Sequence, residues 1–232
     1  MHRSTPLNIL PLMALSVCAA PFDAVLEVRA SSSTCPSYTI INTRGTGEAQ
    51  GPSAGFTTIN SQVTSQVSGG TIYNTVYAAD ASQNSEAGTQ DIINKVTSTL
   101  QSSPGECFIL QGYSQGAAAT VNALSGLTGT SFDAVKGVFL IGDPEHKSGL
   151  ACNVDTSGGT TTKDVNGLSV ALGNSIPDAW IEKTLDVCAY GDGVCDTTHG
   201  FGINAEHLSY PTDSNTQKLG TDFAVKQLGG SA

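Results

Sequence analysis

The chain has 232 residues, of which only 13% are charged, and its formal net charge is −10. This length fits one domain with a sizeable core. Ten Lys and Arg residues against 20 Asp and Glu residues provide no cationic face for phosphate groups, so the composition argues against a nucleic-acid partner. The acidity is better suited to solubility outside the cell.

The N-terminus has the pattern of a secretory signal peptide. A basic residue precedes an apolar run at 7–20, and the run ends in small residues. Cleavage after Ala19 defines residues 1–19 as the signal peptide and leaves 20–34 as a pro-segment or flexible tail before a folded domain at 35–232. A membrane anchor is the alternative, but the run is shorter than the ~20 residues that span a bilayer. We therefore expect a secreted, extracellular protein without a membrane anchor.

Short apolar strands alternate with helical stretches along this domain. The strand candidates are 38–42, 71–77, 107–111, 135–141 and 184–190. Apolar residues at helical spacing are Phe56, Ile59, Val63 and Val67, then Ile93, Val96 and Leu100, then Leu219 and Phe223. The alternation predicts an α/β fold with a parallel sheet covered by helices on both faces. The polar stretch 152–183 has no clear period, and no insertion is long enough to form a large helical lid.

The segment 107–116 carries the strongest functional signal. It reads Cys-Phe-Ile-Leu-Gln-Gly-Tyr-Ser-Gln-Gly, with strand-like residues before the serine and helix formers after it. A Gly-x-Ser-x-Gly pattern alone is weak evidence in a chain this rich in glycine and serine. In this setting it indicates a nucleophile elbow with Ser114 at its tip. Glycines are needed at 112 and 116 because side chains there would collide with the neighbouring strand and helix.

A serine hydroxyl needs a base that takes its proton and a carboxylate that orients the base. Beyond the signal peptide the histidines are His146, His199 and His207. In hydrolases built on this elbow, the serine is followed by the acid and then by the histidine. Asp192 and His207 satisfy that order. Taken singly, each has a plainer interpretation, as a turn aspartate and a surface histidine.

Five cysteines remain after the signal peptide. Cys188 and Cys195 bracket a short loop that contains the candidate acid, and closing this loop contributes about 2.5 kcal/mol in the chain-entropy model. Cys35 precedes the first strand and Cys107 begins the elbow strand, and joining them contributes about 4.4 kcal/mol in the same model. Cys152 is then left as a buried, small apolar side chain. A zinc site is the alternative, but the chain has no Cys-x-x-Cys and no matched histidine pair.

Together these motifs resemble those of the fungal cutinases and, more narrowly, of the cutinase-like polyesterases of basidiomycete yeasts. The matching segments are Arg44-Gly45-Thr46, 112–116, 188–195 with its Gly191-Asp192, and His207-Leu-Ser-Tyr210. They occur in the family's order over nearly the whole mature chain. The resemblance implies a small, lidless α/β-hydrolase with a central five-stranded parallel sheet and two disulfides, which acts on esters without a cofactor or a metal.

Carried over residue by residue, the resemblance implies a catalytic role for three residues. Ser114 is the nucleophile, His207 the general base and then acid, and Asp192 the orienting carboxylate. The backbone N–H groups of Thr46 and Gln115 form the oxyanion hole, and Gln115 lies at a helix start where amide hydrogens point outward. The Thr46 hydroxyl is a candidate third donor.

The segment between the second clamp cysteine and the histidine is longer than is common among cutinases of filamentous fungi. This longer segment affects the wall of the acyl pocket, and it introduces His199 as a rival base. The candidate wall residues are Val194, Phe201, Ile203 and Leu208.

The expected activity is hydrolysis of cutin, aliphatic polyesters and short- to medium-chain esters by a secreted monomer. An acetylxylan esterase on the same fold is the alternative among enzymes. A surface-binding protein without catalysis is the alternative from another class.

Overall fold

A computed structural model of the protein describes residues 1–2 and 35–230. Except for residues 1–2, the predicted signal peptide and the segment 20–34 lie outside the described residues. None of the described helices has both the length and the apolar character needed to span a membrane.

The core of the domain is a parallel sheet of six strands in the order β2-β1-β3-β4-β6-β5. The strands are β1 (Tyr38–Thr43), β2 (Gly70–Asn74), β3 (Cys107–Tyr113), β4 (Val135–Ile141), β5 (Asn153–Val154) and β6 (Thr184–Val187). The predicted parallel α/β architecture is confirmed, but the predicted count of five strands is wrong by one. The additional strand, β5, pairs with β6 at the sheet edge. With two residues it is too short to produce an apolar pattern.

Helices cover both faces of this sheet. They are α1 (Thr57–Gln66), α2 (Glu86–Ser102), α3 (Gln115–Leu124), α4 (Thr130–Ala134) and α5 (Ser214–Gln227). Successive strand residues alternate between the two faces. Ile41 and Leu110 join the apolar core beneath α2 and α3, whereas Ile40 and Ile109 join the core beneath α1 and α5. Full burial of each such side chain stabilises the fold by roughly 1.5–3 kcal/mol.

The buried face of α5 differs from the predicted one. Phe223 packs against the core as predicted, but it and Leu219 are only half-buried, whereas Gly220 and Ala224 are buried. A Cβ on Gly220 would lie 2.7 Å from the ring of Phe139. The helix therefore packs through small residues that permit close approach to the sheet, and an apolar-spacing pattern does not detect such a face.

The carboxyl ends of four strands bring the candidate site together. β1 leads into Arg44-Gly45-Thr46, β3 leads into Ser114, and the loops 142–146 and 188–192 follow β4 and β6. In an open parallel sheet this edge is where ligands bind. His207 reaches the same edge from the loop that precedes α5.

Candidate active site

Ser114 occupies a strained turn between β3 and α3. Its φ of 55° and ψ of −121° lie outside the usual regions for a residue with a side chain. A Cβ on Gly112 would lie 2.6 Å from Cα of Ala117, and one on Gly116 would overlap the carbonyl oxygen of Thr43. Both glycines are therefore sterically required, and the turn holds the serine at the end of the sheet.

The structure brings Ser114, His207 and Asp192 into one hydrogen-bonded chain. His207 Nε2 is 2.9 Å from Ser114 Oγ, and His207 Nδ1 is 2.9 Å from Asp192 Oδ1. The side chains of His207 and Asp192 are almost completely buried. In this arrangement the carboxylate holds the proton on Nδ1, so Nε2 is free to accept the serine proton.

Asp192 is fixed from several sides. The Val194 N–H donates to Oδ1 at 2.8 Å, and the Tyr210 hydroxyl donates to Oδ2 at 2.5 Å. Tyr210 is fully buried, and burial followed by the Asp192 charge raises the pKa of its phenol well above the usual value. The phenol therefore stays protonated as a donor. In the sequence Tyr210 was only part of a family motif, and its contact with the acid comes from the fold.

Tyr113 and Asn204 fix the backbone on either side of the candidate base. The Tyr113 hydroxyl donates to the His207 carbonyl at 2.7 Å, while the His207 N–H donates to Asn204 Oδ1 at 3.0 Å. Asn204 Nδ2 also donates to the Gly191 carbonyl at 2.7 Å, which links the His207 loop to the Asp192 loop. Sequence reasoning missed both residues. The only available signal for Tyr113 was its place between the glycine and the serine of the elbow.

Disulfides join Cys35 to Cys107 and Cys188 to Cys195. The second one closes the loop that contains the candidate acid, so the clamp predicted from the sequence is present. Cys152 is a buried free thiol, and burial raises its pKa to about 12, which keeps it protonated.

The two residues predicted to form the oxyanion hole, Thr46 and Gln115, each line a cavity beside Ser114. In the described part of the chain, neither the Thr46 N–H nor the Gln115 N–H donates to another residue. Glu48 holds the loop that carries the first amide, because its Oε2 accepts the Gly45 N–H at 2.6 Å. Gln83 Nε2 donates to the Thr46 hydroxyl at 3.1 Å. The arrangement provides preformed donors for a negatively charged oxygen.

Arg44 also stabilises the loop that carries Thr46. Its guanidinium is buried and donates to the carbonyls of Thr75, Tyr77 and Glu48 at 3.2, 2.6 and 2.9 Å. Each of these is a main-chain oxygen, so the Arg44 side chain connects the loop that carries Thr46 to the segment that follows β2.

His199 does not reach the serine. Its Nδ1 lies 2.8 Å from Asp196 Oδ2, and its ring stacks on Tyr190 with centroids 4.4 Å apart. Asp196 is buried and also accepts the Gly191 N–H at 3.0 Å. The geometry therefore assigns His199 to the support of the 188–196 loop.

Ser114 lies between two cavities. The smaller, of about 230 Å³, is lined by Gly45, Thr46, Glu48, Ala54, Tyr113, Ser114, Ile203, His207, Leu208 and Pro211. The larger, of about 280 Å³, is lined by Gln83, Ser114, Gln115, Ala118, Pro144, Leu168, Ser169, Val194, Gly202 and Ile203.

Three of the four predicted wall residues line these cavities. Val194 lines the larger cavity, Leu208 the smaller and Ile203 both. Phe201 lines neither, and its side chain is 89% exposed, so the structure does not place it in the wall. The next residue, Gly202, has a left-handed backbone with a φ of 61° and itself lines the larger cavity.

Comparison with known proteins gives a consistent result. A sequence profile of the cutinase family matches residues 34–228. The cutinase of Monilinia fructicola is 30% identical over 229 residues, which cover 95% of this chain and 94% of that protein. The structure of a cutinase-like protein from Cryptococcus sp. is 69% identical, with a TM-score of 0.85, and covers 88% of this chain and 100% of that one.

A more distant structure shares the fold alone. The catalytic core domain of acetyl xylan esterase from Trichoderma reesei is 24% identical, with a TM-score of 0.66 over 83% of this chain and 99% of that one. The profile covers the domain that contains the elbow, both disulfides and the converging Ser114, Asp192 and His207 side chains. This chain belongs to the cutinase family.

Proposed function

We propose that the protein is a serine esterase that hydrolyses carboxylic esters through Ser114, His207 and Asp192. The observation that carries this proposal is the continuous hydrogen-bonded chain from the serine hydroxyl through the imidazole to the buried carboxylate. Membership of the cutinase family supports the reaction class, carboxylic ester hydrolysis.

The mechanism has two steps. Ser114 attacks the ester carbonyl while His207 Nε2 takes the hydroxyl proton. The negative charge that develops on the carbonyl oxygen is stabilised by the N–H groups of Thr46 and Gln115. His207 then gives its proton to the departing alcohol, which leaves an acyl-enzyme. Water then attacks the acyl-enzyme carbonyl while His207 Nε2 takes a proton from it, and the acid is released as His207 returns that proton to Ser114 Oγ.

The position of His207 assigns the two cavities to the two parts of the ester. A general acid must lie beside the leaving oxygen, and His207 lines only the smaller cavity. The alcohol therefore leaves through that cavity, past Glu48. The acyl chain enters the larger cavity, where Ala118, Pro144 and Val194 provide apolar contacts.

The substrates we propose are cutin, aliphatic polyesters and short- to medium-chain esters. Leu168, Ile203 and Leu208 at the rims of the two cavities are at least half exposed, so apolar surface is available to a polymer chain. The two disulfides suit an oxidising compartment. We further propose that the protein is exported by its N-terminal segment and acts as a monomer.

We expect the purified protein to hydrolyse films of an aliphatic polyester and soluble esters from C2 to C8. The rate should rise smoothly with substrate concentration through the point of aggregation, because residues 35–230 form no large lid whose closed state an interface would open. Acid release in a pH-stat measures both, with Ser114→Ala as the blank. Activity confined to acetyl esters would instead support an acetylxylan esterase.

The cavity assignment predicts opposite effects of two matched substitutions. Ala118→Leu fills the larger cavity and should lower kcat/KM for ethyl octanoate by about tenfold or more, while ethyl acetate changes little. Ala54→Leu fills the smaller cavity and should discriminate against larger alcohols in a series of acetate esters. Kinetics over the two ester series would measure this, and interchanged effects would show that the acyl and alcohol sides are reversed.

A further inference from the structure

A second buried histidine–carboxylate group lies outside the mechanism described above. His146, Asp186 and Asp143 are each completely buried, and none of them contacts Ser114. His146 and Asp143 belong to the loop that follows β4, and Asp186 lies on β6. No three His, Cys, Asp or Glu side chains within the described residues are arranged to hold a metal ion. The group is therefore an internal ionic cluster.

The partners of His146 require both of its ring nitrogens to donate. Nδ1 is 2.7 Å from Asp186 Oδ2, and Nε2 is 3.0 Å from the carbonyl oxygen of Thr162. A carbonyl oxygen can only accept, and an ionised carboxylate can only accept. The ring is therefore an imidazolium that links β6 to the turn at residue 162.

The neighbouring charges favour this state. Burial opposes the charged imidazole, but the Asp186 carboxylate and the Thr162 carbonyl together raise the pKa of His146 to about 9. Burial, the Asp186 charge and the Glu145 charge raise the pKa of Asp143 well above its ordinary value. Burial also raises the pKa of the neighbouring Glu145 to about 7. The Cys152 thiol, which also faces Asp186, stays protonated. The His146 imidazolium and the Asp186 carboxylate therefore form a buried ion pair.

The cluster is connected directly to the larger cavity. The Gly167 N–H donates to the His146 carbonyl at 2.8 Å, and the Ser169 N–H donates to the Pro144 carbonyl at 2.7 Å. Between these two bonds, the Leu168 N–H donates to the Val194 carbonyl at 2.9 Å. These hydrogen bonds connect the His146 loop to segments that line the larger cavity. The lining residues in these segments are Pro144, Leu168, Ser169 and Val194.

We propose that the His146–Asp186 ion pair positions the acyl-side wall of the cleft, so that His146 is a positioning residue for esters with longer acyl chains. The proposal rests on the esterase function proposed above. An acetyl group is too short to extend along this wall, whereas a hexanoyl chain lies against Pro144 and Leu168. When the imidazolium loses its proton, one ring nitrogen faces an acceptor without a hydrogen, and the wall loses its anchor.

The test compares two esters of one alcohol in the unmodified protein. The ratio of kcat/KM for ethyl hexanoate to that for ethyl acetate is measured in a pH-stat from pH 6 to pH 10. Above the pKa of about 7 of the neighbouring Glu145, we expect the ratio to fall by about tenfold between pH 8 and pH 10 with a midpoint near 9, the effect of one or two methylene groups that lose contact. Titration of the triad alters both esters equally and cancels in the ratio. A ratio that is independent of pH would overturn the proposal, whereas failure to hydrolyse either ester would refute the esterase function itself.

Two leucine variants distinguish an effect on the cavity wall from a general loosening of the protein. Leu168 is 50% exposed and lines the larger cavity, whereas Leu172 is 79% exposed and lines neither cavity beside Ser114. Leu168→Ala should lower the ratio at pH 7 and remove most of its pH dependence. Leu172→Ala should retain the wild-type curve. Equal curves for the two variants would count against the proposal, and circular dichroism at pH 10 verifies that the protein remains folded.

Discussion

Ser114→Ala is expected to reduce kcat by about 10⁴-fold or more, because no other hydroxyl occupies the position in front of His207 Nε2 in the described residues. The fold should be unaffected, since the change removes one oxygen at the end of a cavity. Initial rates on a butyrate ester measure the loss, and thermal unfolding verifies the fold. Ser125→Ala, at the exposed far end of α3, is the matched control and should retain full activity. A Ser114→Ala protein with near-normal turnover would refute the nucleophile assignment.

The second large effect is expected at His207. His207→Ala should lower kcat by about 10³-fold or more, because it removes both the base that activates the serine and the acid that protonates the alcohol. His199→Ala should lower kcat by less than about tenfold, because His199 contacts Asp196 and Tyr190 instead of the serine. Steady-state kinetics of the two variants on one ester provide the comparison. If His199→Ala produced the larger loss in kcat, the triad would be wrong.

The parts of the fold that could be predicted are those with a local signal. Strands β1, β3 and β4 each contain a short apolar run and are almost completely buried, because helices cover both of their faces. Their predicted and observed positions agree closely. The predicted second and last strands were less accurate at their ends. β2 ends at Asn74 because the Val76 N–H turns to the carboxylate of Asp91, and β6 ends at Val187, where the disulfide loop begins.

In the candidate site, too, only the residues with a local sequence signal could be predicted. Ser114 could be located from the sequence because the elbow combines glycine spacing, a buried strand and a helix start. The choice between His199 and His207 required family context, since composition offers no distinction between them. Tyr210 and Asn204 could not be assigned, because their roles depend on contacts with another loop, those of Tyr210 with Asp192 and of Asn204 with Gly191.

The cluster around His146 could not be predicted either, because its members come from distant parts of the sequence. Asp186 is 40 positions away in the sequence and Thr162 is 16 positions away. In the sequence, His146 is distinguished only as one of three histidines beyond the signal peptide. The polar stretch 152–183, which lacks a regular period, contributes a buried carbonyl at Thr162 that helps to define its charge.

The central claim is that one serine, Ser114, forms the covalent intermediate. The most direct test is treatment with diethyl p-nitrophenyl phosphate, followed by intact-mass measurement and peptide mapping. A phosphoryl group should be added once per molecule and lie on the peptide that contains Ser114, at a rate that falls sharply in His207→Ala. Stoichiometric labelling of another serine, or labelling of Ser114→Ala at the wild-type rate, would contradict the account.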